Sequence, residues 1–241
     1  MSIVMKFAKY LCLLFCWFIS FVSAGQTPIN WGTDYWQGYT DYDGSGFYNE
    51  LVNQIFPEPE YVVDIQYYPC KRAVKNILQG TVDMTGAMHK IPGIYHSERP
   101  VIIDRVVMVS RVADALNKDF LDNKLGAYRS GYEDMVFYPY LEKATMGLEV
   151  ENSHRGVALI AMKKIDFYVG ADSLIQHALI DRADKSEYEI TEIGSFKLYS
   201  SFALSEHGLA LKTTFDEQIE TLREQGVLAQ LYNKYGLTMP F

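Results

Sequence analysis

Apolar positions along the chain switch between a helical and a strand-like period. In "YPCKRAVKNILQGTVDM" (residues 68–84), Val74, Ile77 and Leu78 share one helical face, with Lys71, Arg72 and Lys75 elsewhere. Pro69 suits the first turn, where its missing N–H costs nothing. Gly80 accepts the left-handed conformation of a helix end. The run that follows, residues 81–88, is short and mostly apolar and predicts a buried strand. The pattern returns in "SHRGVALIAMKKIDF" (residues 153–167). Val157 falls on Val74, Ile160 on Ile77, Ile165 on Val82 and Asp166 on Asp83, at a constant offset of 83 positions. Here Val157, Ile160 and Ala161 make the helical stripe and residues 165–171 the strand. Lys164 stands in place of the glycine, so this turn must close differently.

Helix, tight turn and buried strand form half of a βαβ unit, which implies parallel sheets with helices on their faces. Strands are also predicted over residues 29–35, 61–68 and 105–112, and a helix over 46–56, closed by Pro57 and Pro59. Residues 124–144 begin as a strand, turn at Ser130-Gly131 and continue as a helix. The C-terminal region is amphipathic helix interrupted near Gly226, with Phe215, Ile219 and Leu222 on one stripe and Leu228, Leu231 and Tyr232 on the next. Two similar α/β sets, before and after about residue 110, predict two lobes of one design.

Residues 1–24 carry Lys6 and Lys9, then an apolar run over 11–22 that is shorter than the roughly 20 residues a membrane span needs. Val22-Ser23-Ala24 offers small residues for cleavage, so a secretion signal and a periplasmic mature chain are expected. No second long apolar run follows, which predicts a soluble mature protein. That protein carries 20 basic against 30 acidic residues, a net charge of −10, which argues against nucleic acid and anionic membrane surfaces as partners. Cys12 and Cys16 lie in the leader, which leaves Cys70 alone and excludes an intrachain disulfide. The five histidines show no ligand spacing. The loop Asp41, Asp43, Ser45, Gly46 has Val52 where a calcium loop needs a bidentate glutamate, so neither a metal nor any other cofactor is expected. No nucleophile elbow or phosphate loop is present.

In order along the chain, "INWGTDYW", "DGSGFYNELV", "RAVKNILQGTVD", "LGAYRSGYED", "IDFYVGAD" and "LREQGVLAQLYNKYG" resemble the motifs of periplasmic solute-binding proteins of the amino-acid (family 3) class of ABC transporters. The resemblance spans nearly the whole mature chain. It implies the periplasmic-binding-protein type II fold, two α/β lobes, each a mainly parallel sheet flanked by helices, joined by two crossings near residues 108–112 and 196–202. On this reading residues 25–109 form the first lobe, 110–198 the second, and 199–241 return to the first. It implies a monomeric binding protein, not an enzyme, that hands a small amino-acid-like solute to an inner-membrane permease or a sensor. Some proteins of this fold are cyclohexadienyl dehydratases, with Glu133 or His89 as acid–base candidates here, and others are sensing or accessory proteins without transport. The family's arginine for the ligand α-carboxylate, carried in a "T.ER" stretch, has no counterpart in "AMHKIPGIYHSERPV"; Lys90 and Arg99 are the available substitutes.

The candidate site gathers at strand ends. Trp36 and Tyr39 follow the first strand, where open α/β sheets bind ligands, and their rings suit an apolar or cationic body. The N–H groups of Gly131 and Tyr132 at a predicted helix start, with Arg129 beside them, suit an anion; the alternative is a solvated turn capped by Ser130. In the family a carboxylate at the position of Asp172 takes the ligand ammonium; capping the next helix is its alternative role. Arg72, matching a "PW.R" motif with Cys70 in place of tryptophan, either reaches the cleft or lies on the helix surface. His89 and Lys90 follow the first repeated strand and can line the near wall of the cleft.

Overall fold

The computed structural model describes residues 25–117, 119, 121–141 and 146–241. The predicted leader lies outside them, as does the end of the segment over 124–144. The order is β1 (Thr27–Thr33), α1 (Phe47–Ile55), β2 (Tyr61–Tyr67), α2 (Cys70–Leu78), β3 (Met84–Met88), β4 (Tyr95–His96), β5 (Ile102–Arg111), β6 (Leu125–Arg129), β7 (Met146–Val150), α3 (Ser153–Ala161), β8 (Phe167–Ala171), α4 (Asp172–Leu179), β9 (Tyr188–Phe202), α5 (Glu206–Glu224) and α6 (Val227–Lys234). Among the described residues no helix is long and apolar enough to cross a membrane.

The strands form one nine-stranded sheet in the order β2-β1-β3-β9-β5-β8-β6-β7, with β4 added beside β9. That order reads as two copies back to back. β1 lies parallel between β2 and β3, and β6 lies parallel between β7 and β8. Each set is bordered by an antiparallel strand, β9 against β3 and β5 against β8, and these two strands pair with each other from Ile102↔Leu198 to Arg111↔Tyr188. The repeated helix–turn–strand units are therefore α2–β3 and α3–β8, and they hold equivalent places. Their turns close alike in backbone but not in sequence. Gly80 takes φ 68° after α2, and Lys163 takes φ 55° after α3. Lys163, not Lys164, is the counterpart of Gly80, and a lysine accepts there the left-handed conformation that glycine adopts freely.

β2 is an edge strand and its burial alternates residue by residue, the period of a half-covered sheet face. The inner strands are buried on both faces: Val106 and Met108 of β5 join one apolar cluster while Val107 and Val109 join another. The larger cluster runs without a break from Ile29 and Trp31 through Met84 and Met108 to Tyr128, Phe167 and Val169. Apolar side chains thus partly fill the space between the two strand sets.

Some local expectations change. Leu78 and Ala161 are exposed, because the buried stripes are Ala73 and Ile77 on α2 and Val157 and Ile160 on α3; each exposed residue lies one position past its stripe. The helix expected after Ser130-Gly131 is a single wide turn over Glu133–Phe137, and Pro139, which has no N–H to donate, follows it closely. β7, unpredicted, pairs with β6 as the second edge. Asp172 is the first residue of α4 rather than its cap. Ala171 holds the cap position, with no side-chain hydrogen bond.

Candidate functional site

The carboxyl ends of β1 and β3, the start of α2 and the turn after β6 meet at one place. A cavity of about 60 Å3 lies there. Thr33, Asp34 and Trp36 line it from β1 and the loop beyond, Thr85 and His89 from β3 and its end, and Cys70 from α2. Gly131, Tyr132 and Met135 close it from the turn after β6. The approach is tight. Gly131 has φ 85°, a conformation that favours glycine, and a Cβ there would stand 3.1 Å from the Cys70 sulfur, a tight contact.

The charges at this place pair across the cavity wall. Arg129 Nη2 donates to Asp34 Oδ2 at 2.6 Å and to the Tyr35 carbonyl at 3.2 Å. Its guanidinium also lies 5.1 Å from the Tyr132 ring centroid, and Nη1 donates to the Tyr132 hydroxyl at 3.3 Å. Burial works against the Arg129 charge, but Tyr132 and Asp34 outweigh it, and the guanidinium stays protonated at any working pH. Burial pushes the Asp34 carboxyl above its ordinary value, against the pull of Arg129. Burial raises the Tyr132 hydroxyl well beyond the tyrosine range. The Cys70 thiol is pushed up to about 11 by burial and by the nearby Asp34 carboxylate. His89 is held below 6.5 by burial, with Asp134 opposing, so its ring is neutral near pH 7.

The loop after β1 is built to present Trp36. The Thr40 hydroxyl accepts from the Trp36 backbone N–H at 2.9 Å and donates to the Asp34 carbonyl at 2.7 Å. The Trp36 ring stacks on Tyr39 with centroids 4.0 Å apart, and both are buried. The Trp36 indole N–H is buried and has no acceptor among the described residues. A buried donor without a partner is a rare and costly feature that calls for an explanation.

A scan against models of protein families finds no match, and a search of curated proteins finds no relative. Solved structures do match. The ligand-binding core of GluR0 from Nostoc punctiforme in complex with L-glutamate has a TM-score of 0.72 at 17% identity, covering 86% of this chain and 99% of that one. An ancestral arginine-binding protein bound to arginine gives 0.74 at 15%, covering 88% and 99%. A histidine kinase sensor domain with similarity to periplasmic binding proteins gives 0.75 at 16%, covering 90% and 99%. The chain has the type II periplasmic-binding-protein fold.

Within that fold, the cavity brings together part of the predicted set. Trp36, His89, Gly131 and Tyr132 line it, and Arg129 stands at its wall through Asp34. Tyr39 does not line it. It backs Trp36, and its hydroxyl, pushed up to about 12 by burial and by Asp104, faces Ser173. Arg72 is exposed, 5.2 Å from the Tyr68 ring centroid, and Lys90 lies 4.4 Å from the Tyr199 centroid, so neither cation lines the cavity. Arg99 pairs with Glu220 on α5. Asp172 is buried, accepts from Arg105 of β5 and from Gln176 at 3.1 Å, and does not line the cavity. Ser130 does not cap the turn; its hydroxyl donates to Glu149 at 2.9 Å. The Tyr132 N–H donates to the Arg129 carbonyl at 3.0 Å.

Sequence reasoning passed over Asp34. The signal was present, since Asp34 directly follows β1, the same strand end that singled out Trp36. Among the described residues no group of histidine, cysteine and carboxylate side chains is placed to hold a metal ion.

Proposed function

We propose that the protein binds a small, polar, amino-acid-like solute between two lobes, outside the cytoplasm, and that an inner-membrane permease or a sensor reads the closed form. Residues 25–109 with 199–241 make one lobe in this reading, and 110–198 the other. The observation that carries it is a cavity lined from both strand sets by residues that include Trp36, whose buried indole N–H has no partner among the described residues. That donor fits a carbonyl or carboxylate oxygen. Solved proteins of the same fold hold glutamate and arginine, which supports a solute of this class.

The chemistry of the wall fits a solute bearing both charges. A neutral solute that parts Asp34 from Arg129 strands a buried guanidinium and a half-buried carboxylate, at a cost of several kcal/mol. A zwitterion replaces the pair: its ammonium takes Asp34, its carboxylate takes Arg129 and the Trp36 N–H. The Trp36–Tyr39 stack then supports its body. Such a solute shifts the open–closed balance only by its greater affinity for the closed form.

Titration calorimetry of the purified chain, freed of carried-over solute by unfolding and refolding, tests this against amino acids, polyamines and organic acids. At least one amino-acid-like compound is expected to bind. Trp36→Phe, which keeps a ring and removes the N–H, is expected to weaken it by about 10- to 100-fold, the worth of a hydrogen bond to a charged group. Silence across the whole panel overturns the proposal.

A further inference from the structure

A second cavity, of about 310 Å3, lies beyond the Asp34–Arg129 pair and shares only Asp34 and Cys70 with the first. Its wall is aromatic. Tyr35 stacks on Tyr42 with centroids 4.6 Å apart, Tyr42 meets Tyr67 edge to face at 4.6 Å, and Tyr68 adjoins them. Tyr42 is 69% exposed although its ring is stacked, so aromatic surface is left open. Glu151 and Asn152, from the turn between β7 and α3, line the cavity as well.

The local charge is negative. Arg129 is matched by Asp34, and the Lys71 ammonium is held between Glu133 at 3.1 Å and Glu149 at 2.5 Å, two carboxylates for one cation. The Glu151 carboxylate makes no ion pair or hydrogen bond among the described residues. Asp41 sits behind the rings, where its carbonyl accepts from the Tyr67 hydroxyl at 2.7 Å. The Tyr35 hydroxyl is raised by burial and then by Asp41 and its neighbours. Arg72, 5.2 Å from the Tyr68 ring centroid, is the opposing cation, and it lies on the α2 surface.

We infer that this outer groove is a binding site for an organic cation of the quaternary-ammonium type, held against the Tyr35–Tyr42–Tyr67 rings with Glu151 as countercharge. Aromatic faces attract a cation through their negative quadrupoles, and a methylated ammonium needs no hydrogen-bond acceptors. A primary ammonium has three N–H groups to satisfy, and the groove has one uncommitted carboxylate to offer. The site shares the Asp34–Cys70 wall with the Trp36 cavity, but the groups assigned to the cation, the Tyr35, Tyr42 and Tyr67 rings and Glu151, line the outer groove alone.

The test is titration of the mature chain with choline and with 3,3-dimethylbutan-1-ol, its uncharged isostere. Choline is expected to bind one site, and the isostere about tenfold more weakly or worse. Tyr42→Leu and Glu151→Gln, both exposed positions, are each expected to weaken choline by about fivefold or more with Tm held. Trp36→Phe, which impairs the inner cavity, is expected to leave choline unaffected. Equal binding of choline and the isostere, absence of choline binding, or choline lost through Trp36→Phe but not Tyr42→Leu each overturns the inference. A chain that takes choline and no amino acid retains this inference and loses the proposed function.

Discussion

Replacing Asp34 by asparagine removes one charge and almost no volume, and it leaves Arg129 buried without its counter-ion. Arg129 is 9% exposed, and the Asp34 side chain is 25% exposed. Removing one partner of a buried pair costs about 3–5 kcal/mol, most of it the penalty on the stranded charge. Arg129 retains the Tyr35 carbonyl and the Tyr132 ring, and Asp34 keeps some contact with solvent, so the lower end applies, about 3 kcal/mol. For a chain of this size that lowers Tm by about 5–10 °C. The assay is chemical and thermal unfolding of Asp34→Asn, Arg129→Met and the double variant as a double-mutant cycle. The double variant carries no stranded charge and is expected to recover much of the loss, with a coupling energy of about 2 kcal/mol. A coupling below about 0.5 kcal/mol refutes the view that these two charges join the strand sets.

Gly131→Ala places a Cβ 3.1 Å from the Cys70 sulfur at φ 85°, and denaturant unfolding is expected to show a loss of about 1–3 kcal/mol. The Cys70 thiol, at about 11 against an ordinary 9.0, is expected to react with Ellman's reagent at pH 8 about a hundredfold more slowly than a free thiol, and faster in Asp34→Asn if the wall parts; native labelling at the free-thiol rate contradicts its burial. His89 resists protonation in the fold because of burial. Its contribution to stability is present above 6.5 and lost as pH falls through the window below it, and a Tm–pH profile of His89→Gln is expected to be flatter there than wild type.

The repeat over residues 74–83 and 157–166 anticipated two equivalent helix–strand units, α2–β3 and α3–β8, because a helix stripe followed by a buried strand leaves few ways to hide both apolar faces. Periodicity is a local property, and it placed β1, β2, α1, α2, α3 and α6 near their observed bounds. It failed where neighbours decide. β7 owes its strand to pairing with β6, and the helix predicted after Gly131 is cut to a single wide turn over Glu133–Phe137. Strand ends pointed to Trp36 and Arg129 as side chains worth attention, since chemistry at the end of a β1-type or β6-type strand follows from topology. What each charge touches did not follow. Asp172 stands next to Arg105, and Arg129 next to Asp34, across 67 and 95 positions of chain. Partners so far apart are set by how the two strand sets lie against each other, and no local pattern encodes that. The sequence by itself determined the elements, their duplication and the strand ends where a site belongs. The tertiary structure alone decided which charges are spent on one another and that Trp36, lining the cavity, keeps a buried indole N–H without a partner among the described residues.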